Sequence, residues 1–166
     1  YMFSKEYASE TDIMVVDINT DGSFKGTPRN ITSNWDLLPG TLTFTSDGKA
    51  LRFATGISGT THLFEVAAKG GKVNQITKGN RTLRSISTSK ESRWMAYIVT
   101  DATTPTELYM ANKAGGQEQR LTKFNDAWLA DIKRMPAEHL SWKVADGTEI
   151  EGWVIKPINH DPNKVY

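Results

Sequence analysis

Thr41-Leu42-Thr43-Phe44-Thr45-Ser46-Asp47-Gly48-Lys49 opens the stretch whose reading decides the fold. Polar and apolar residues alternate from 41 to 45, the period-two pattern of a half-buried strand. Asp47-Gly48 then supplies residues that tolerate the positive φ of a tight hairpin turn. Residues 49–55 read as the returning strand, with Leu51 and Phe53 on one face. Gly56, Ser58 and Gly59 break it, 62–66 make a third strand, Gly70-Gly71 a turn, and 72–77 a fourth strand ending on Ile76-Thr77.

The plan recurs on both sides of this stretch. Ile31-Thr32, Ile76-Thr77 and Leu121-Thr122 close successive segments 45 residues apart. Leu63 and Leu108, Phe64 and Tyr109, and the pairs Gly70-Gly71 and Gly115-Gly116 keep the same offset. A period of about 40 to 50 residues built from short β segments marks the four-stranded blades of a β-propeller, each burying its faces only against its neighbours. The expected fold class is therefore all-β: a fragment of a β-propeller with antiparallel four-stranded blades, followed by a linker and a hairpin.

In the copy at 78–122 the strands are expected at 83–88, 94–100, 107–111 and 117–122. Its first turn is degraded, because Ser89-Lys90-Glu91-Ser92 replaces the Ser-Asp-Gly of the copy before it. Trp94-Met95-Ala96-Tyr97-Ile98-Val99 is almost wholly apolar, which predicts a strand covered on both faces, and its β-branched residues favour strand over helix. The copy at 1–32 contributes a strand at 1–5, another at 12–18, and a closing segment at 29–32 after an enlarged turn. That turn, Asp17-Ile18-Asn19-Thr20-Asp21-Gly22, matches the first half of a calcium loop, but Pro28 stands where the bidentate Glu would be. An Asx-rich turn between strands is the alternative.

After Thr122 the pattern changes. Asn125-Asp126-Ala127-Trp128-Leu129-Ala130-Asp131-Ile132 offers a capping residue followed by helix-tolerant ones, so a short helix is expected before Pro136. Residues 140–145 and 148–156 then flank Asp146-Gly147 as a second hairpin, with Trp142, Ile150 and Trp153 to bury. The division is a partial propeller over 1–122, with blades at 34–77 and 78–122, a linker over 123–139, and a hairpin and tail over 140–166.

Composition narrows the function. The 166 residues hold 20 Lys and Arg against 19 Asp and Glu, with no basic run, so a nucleic-acid partner or an anionic membrane surface is not expected. The absence of cysteine excludes disulfides, thiolate metal sites and a thiol nucleophile. No apolar stretch approaches the roughly 20 residues that span a bilayer. The chain opens on Tyr1-Met2-Phe3-Ser4 without a charged n-region or apolar h-region, so any export signal is expected to have been removed, and periplasm and cytoplasm both stay open as its location.

Several strings carry a family resemblance: Pro28-Arg29-Asn30-Ile31-Thr32, Thr45-Ser46-Asp47-Gly48-Lys49, and above all Leu121-Thr122-Lys123-Phe124-Asn125-Asp126 leading to Ala145-Asp146-Gly147-Thr148-Glu149-Ile150-Glu151-Gly152-Trp153-Val154-Ile155-Lys156-Pro157. Together they resemble the acylaminoacyl-peptidase and dipeptidyl-peptidase branch of the prolyl oligopeptidase family. The resemblance implies a propeller capping an α/β-hydrolase domain, peptide hydrolysis by a Ser-Asp-His triad, and a propeller that screens substrates by size. It also implies that 121–157 marks the exit from the propeller into the first hairpin of that hydrolase domain. The partners so implied are the remaining blades and the hydrolase domain of the parent, with peptides as its substrates.

No residue of this chain is assigned a catalytic, cofactor-binding or metal-binding role. Gly56-Ile57-Ser58-Gly59 is the string nearest to the Gly-x-Ser-x-Gly elbow, yet it lacks the spacing and the following helix. Only 24 residues follow Trp142, too few for a hydrolase domain. His62, His139 and His160 are not spaced as ligands and read as structural or surface histidines. Trp94, Trp142 and Trp153 read as buried strand residues, Trp35 as a possible binding platform, and Asn30-Ile31-Thr32 and Asn80-Arg81-Thr82 as glycosylation sequons by pattern alone. A propeller of the TolB type, acting as a protein-binding scaffold, is the alternative function, and a self-contained small β domain is a weaker third. An open fragment would expose blade faces and sheet edges, so self-association is expected.

Overall fold

The computed structural model describes residues 2–3, 11–91 and 93–166. Of the strand expected at 1–5, residues 1, 4 and 5 lie outside the described residues, as does Ser92 of the degraded turn.

A three-stranded sheet begins the molecule, with β1 (Met2–Phe3), β2 (Asp12–Ile18) and β3 (Phe24–Asn30) in that order. The next blade is β4 (Thr43–Phe44), β5 (Ala50–Ile57), β6 (Thr60–Ala67) and β7 (Asn74–Gln75). The following one is β8 (Thr82–Thr88), β9 (Trp94–Thr100), β10 (Glu107–Asn112) and β11 (Gln119–Arg120). Within each blade every strand pairs antiparallel with its sequence neighbour. The propeller-type meander is thus present, with first and last strands that pair over only two residues in the middle blade.

One feature departs from the expectation of two separate blade sheets. A single parallel bridge, Thr61 to Thr82, joins β6 to β8, so backbone pairing runs through both blades as one eight-stranded sheet. The cause is the return path after β7, where the Thr61 N–H donates to the Arg81 carbonyl at 3.3 Å.

Face-to-face packing of the blades is as the pattern required. Ile13 and Ile31 of the first sheet pack with Leu51, Phe53, Phe64 and Val66 of the middle blade, and Trp35 closes this cluster. Leu63, from the opposite face of the middle blade, joins Leu83, Met95, Tyr97, Val99 and Ala111 of the last one, with Ile76 against them. Alternation along β5 and β6 makes this possible, because Phe53 lies opposite Phe64 on one face while Arg52 lies opposite Glu65 on the other. In β9 only Met95, Tyr97 and Val99 are buried and Trp94 stays 39% exposed, so the strand is covered on one face and not on both.

The tail of the chain holds α1 (Asp126–Leu129) and the hairpin β12 (Ala137–Lys143) with β13 (Glu149–Ile155). Its turn is closed by Gly147 N–H to the Val144 carbonyl and by Thr148 N–H to the Asp146 carboxylate. Strand β12 starts at Ala137, three positions before the expected 140.

Candidate functional site

The recurring threonine has a structural reason. Thr32, Thr77 and Thr122 each place Oγ1 on a backbone N–H of the strand that precedes the closing one, accepting from Ile13 at 2.8 Å, Leu63 at 3.0 Å and Leu108 at 2.8 Å. The residue before each threonine donates its N–H to the carbonyl of that same strand residue, Ile31 to Ile13, Ile76 to Leu63 and Leu121 to Leu108. The side chain one position earlier in the strand completes the clamp: Asp12 accepts from the Thr32 hydroxyl, His62 Nδ1 lies 3.3 Å from that of Thr77, and Glu107 accepts from that of Thr122. Burial pushes the His62 imidazole below its usual pKa, and the Arg81 cation adds to that effect.

At the last copy the clamp becomes a junction. Glu107 is 1% exposed, and its carboxylate accepts from the N–H groups of Phe124 and Asn125, from Asn125 Nδ2 at 3.0 Å and from Arg120 at 3.0 Å. Burial alone would raise this carboxyl, but the Thr122 hydroxyl, the Asn125 amides and Arg120 outweigh it and hold the pKa down at about 2. Arg120 also pairs with Asp126 in the first turn of α1. Asn125 occupies the N-cap position without capping, since its side chain is turned to Glu107 instead of to the helix. One buried carboxylate thus fixes where the chain leaves the blade.

The hairpin returns to the middle blade. Trp153 of β13 donates its indole N–H to the Ser58 carbonyl at 3.1 Å, at the tight turn between β5 and β6. Ser58 (φ 47) and Gly59 (φ 72) both take the left-handed conformation there. A Cβ on Gly59 would lie 2.5 Å from the indole nitrogen, so this glycine answers to both turn and close approach. Ser58 Oγ donates to Glu151 at 3.0 Å, and His139 Nε2 is 3.5 Å from the same carboxylate oxygen. Serine, carboxylate and imidazole therefore meet, but in an order that does not suit nucleophilic catalysis, which needs the imidazole on the hydroxyl. Here the hydroxyl goes to the carboxylate, and the group acts as a polar dock between hairpin and blade.

Other residues singled out in the sequence fall as follows. Trp35 packs edge-on to Phe53 at 5.2 Å and is part of the core, not a platform. Trp142 is 50% exposed and Trp153 half-buried, so the hairpin buries less than expected. In the enlarged turn, the Asp21 carboxylate accepts from both the N–H and the hydroxyl of Ser23, an Asx turn closing a hairpin. His160 stacks on Tyr166 at 5.2 Å, and Lys133 donates to Asn159 as the tail's tie to the linker. Sequence reasoning missed the Glu107 node, although an acidic residue preceding the first and last clamped strand positions was a signal for it. The Trp153 dock left none.

Dipeptidyl-peptidase 5 of Porphyromonas gingivalis is 27% identical over 154 residues, which is 93% of this chain. Among solved structures, the Pyrococcus horikoshii acylaminoacyl peptidase superposes with a TM-score of 0.68 at 25% identity, again over 93% of the chain. The alignments thus extend beyond the blades into the linker and hairpin. In sequence and in fold the chain is thus similar to peptidases of the prolyl oligopeptidase family. It spans about 22% of the length of either of these family members. The β-propeller domain of the trilobed protease from Pyrococcus furiosus, at 18% identity and a TM-score of 0.55 over 72% of this chain and 33% of its own, shares the fold. No protein-family model matches the chain.

Proposed function

We propose that this chain is the exit portion of a peptidase propeller, a non-catalytic piece that walls and screens the active site of the parent enzyme, with β12 and β13 as the first hairpin of its α/β-hydrolase domain. The observation that carries the reading is the alignment over 93% of the chain, through blades, linker and hairpin, with two peptidases. The Glu107 node and the Trp153 dock support it, because a screening wall works only if its outlet is fixed relative to the catalytic domain.

A further blade of the same polypeptide is inferred as the immediate partner. Leu108 and Leu121 stand in the last blade where Leu63 and Ile76 stand in the middle one, yet Leu108 is 37% exposed and Leu63 2%. The middle pair is covered by the neighbouring blade, and the outer pair awaits one. Among the described residues no helix is long and apolar enough to cross a membrane.

Treating the full-length protein with a fluorophosphonate probe tests the reading. Labelling of a serine outside residues 1–166 is expected, with cleavage of short peptides and sparing of folded proteins. A parent that stays unlabelled while binding a protein partner tightly would be a TolB-like scaffold instead.

A further inference from the structure

A cleft of about 450 Å³ lies between the middle and last blades, within the size range of small-ligand sites. Phe44, Leu63 and Ile86 give it apolar walls, and Thr43, Arg84 and Thr88 line it with polar groups. No acidic residue is among its lining.

Two observations set Arg84 apart. Arg52, which also lines the cleft, is already held by Glu65 at 2.7 Å, the Met95 sulfur at 3.3 Å and the Lys113 carbonyl at 2.8 Å. The Arg84 guanidinium has no hydrogen-bond or ion-pair partner among the described residues. The second observation is in the backbone. The β8–β9 register slips between Arg84 and Ser87, and Ser85 sits at φ 51, left-handed for a residue that is not glycine. Such a bulge re-aims the side chains beside it, and strain of this kind collects at binding sites.

An unpaired guanidinium with hydroxyls beside an apolar wall matches a carboxylate carried on an apolar body. We propose that this inter-blade cleft binds the C-terminal residue of a peptide, its carboxylate on Arg84 and its side chain against Phe44 and Ile86. The choice of a peptide as ligand rests on the peptidase reading above, while the carboxylate chemistry rests on the cleft alone.

The test is a calorimetric titration of the full-length protein, pretreated with the fluorophosphonate, with Ala-Ala-Phe as free acid, Ala-Ala-Phe amide, and hexanoate. The acid is expected to bind about ten-fold more tightly than the amide. Arg84→Gln should abolish that preference and Arg84→Lys should keep part of it. Equal binding of acid and amide, or an unchanged preference in Arg84→Gln, overturns the proposal. So does hexanoate binding as tightly as the peptide acid, which would make the ligand a simple carboxylate. Probe labelling is scored separately, so loss of the peptidase reading and loss of the cleft are distinct results.

Discussion

Three threonine hydroxyls, each on the N–H of a residue in the strand before the closing one, show what a small polar side chain does in a repeat. Thr77 is 2% exposed, and without its Oγ1 the Leu63 N–H is left unpaired next to a packed core. An unsatisfied buried donor costs about 1–3 kcal/mol. Thr77→Val is therefore expected to lose about that much in urea unfolding, while Thr77→Ser, which keeps the oxygen, loses far less. Equal losses for Val and Ser would mean that packing of the methyl group, not the hydroxyl, holds the strand.

At the scale of elements, the start of the linker is tied to one buried carboxylate. Glu107 has its folded pKa lowered to about 2 from the ordinary 4.5. A depressed carboxyl contributes stability that is present above the unfolded pKa and is lost as pH falls through the folded one. Stability should decline between pH 4.5 and 2. His62 acts higher on the scale: its pKa is depressed from 6.5, so the fold favours the neutral ring and weakens as pH drops below that value. In Glu107→Gln the acid-limb slope of unfolding free energy against pH should flatten, and an unchanged slope would assign acid sensitivity to other groups.

Much of this element plan was legible beforehand. A clamp that needs a hydroxyl, an aliphatic residue before it and a fixed loop length writes itself into the chain every 45 residues, so Thr32, Thr77 and Thr122 announced the blades. Strand ends were less legible. Residues 41–45 alternate as a strand should, yet only Thr43 and Phe44 pair with β5, because alternation reports which face is apolar and not how far a partner extends. The Asn125 cap failed for another reason: a buried carboxylate from a strand nearly twenty residues earlier took the side chain, and propensity is blind to such competitors. Arg84 and its bulge, like Trp153 on the Ser58 carbonyl, depend on distant backbone meeting, which no local pattern encodes.

For the whole molecule, the outer face of the last blade matters most. Trp94, Leu108 and Leu121 are 39%, 37% and 48% exposed, and pairing of Leu108 with Ile98 aligns them on one side of the sheet. Expressed alone, the chain is expected to associate through this face. Light scattering should show a species larger than the monomer, shifting to monomer in a Leu108→Lys, Leu121→Lys double variant. The full-length protein should not respond in that way, since the inferred neighbouring blade already covers the face. A stable monomer of the unaltered chain at high concentration would count against that blade.

The lone Thr61–Thr82 bridge also determines how the chain would yield to a pulling force. Each blade closes its own antiparallel ladder, and hardly any backbone bonding passes from one to the next. Stretched from its two ends in an optical trap, the molecule should come apart blade by blade. Each rip would release about 150 Å of chain, the extended length of one 45-residue repeat. One rip of twice that length would mean that side-chain packing between the blades, and not the ladders within them, sets the mechanical unit.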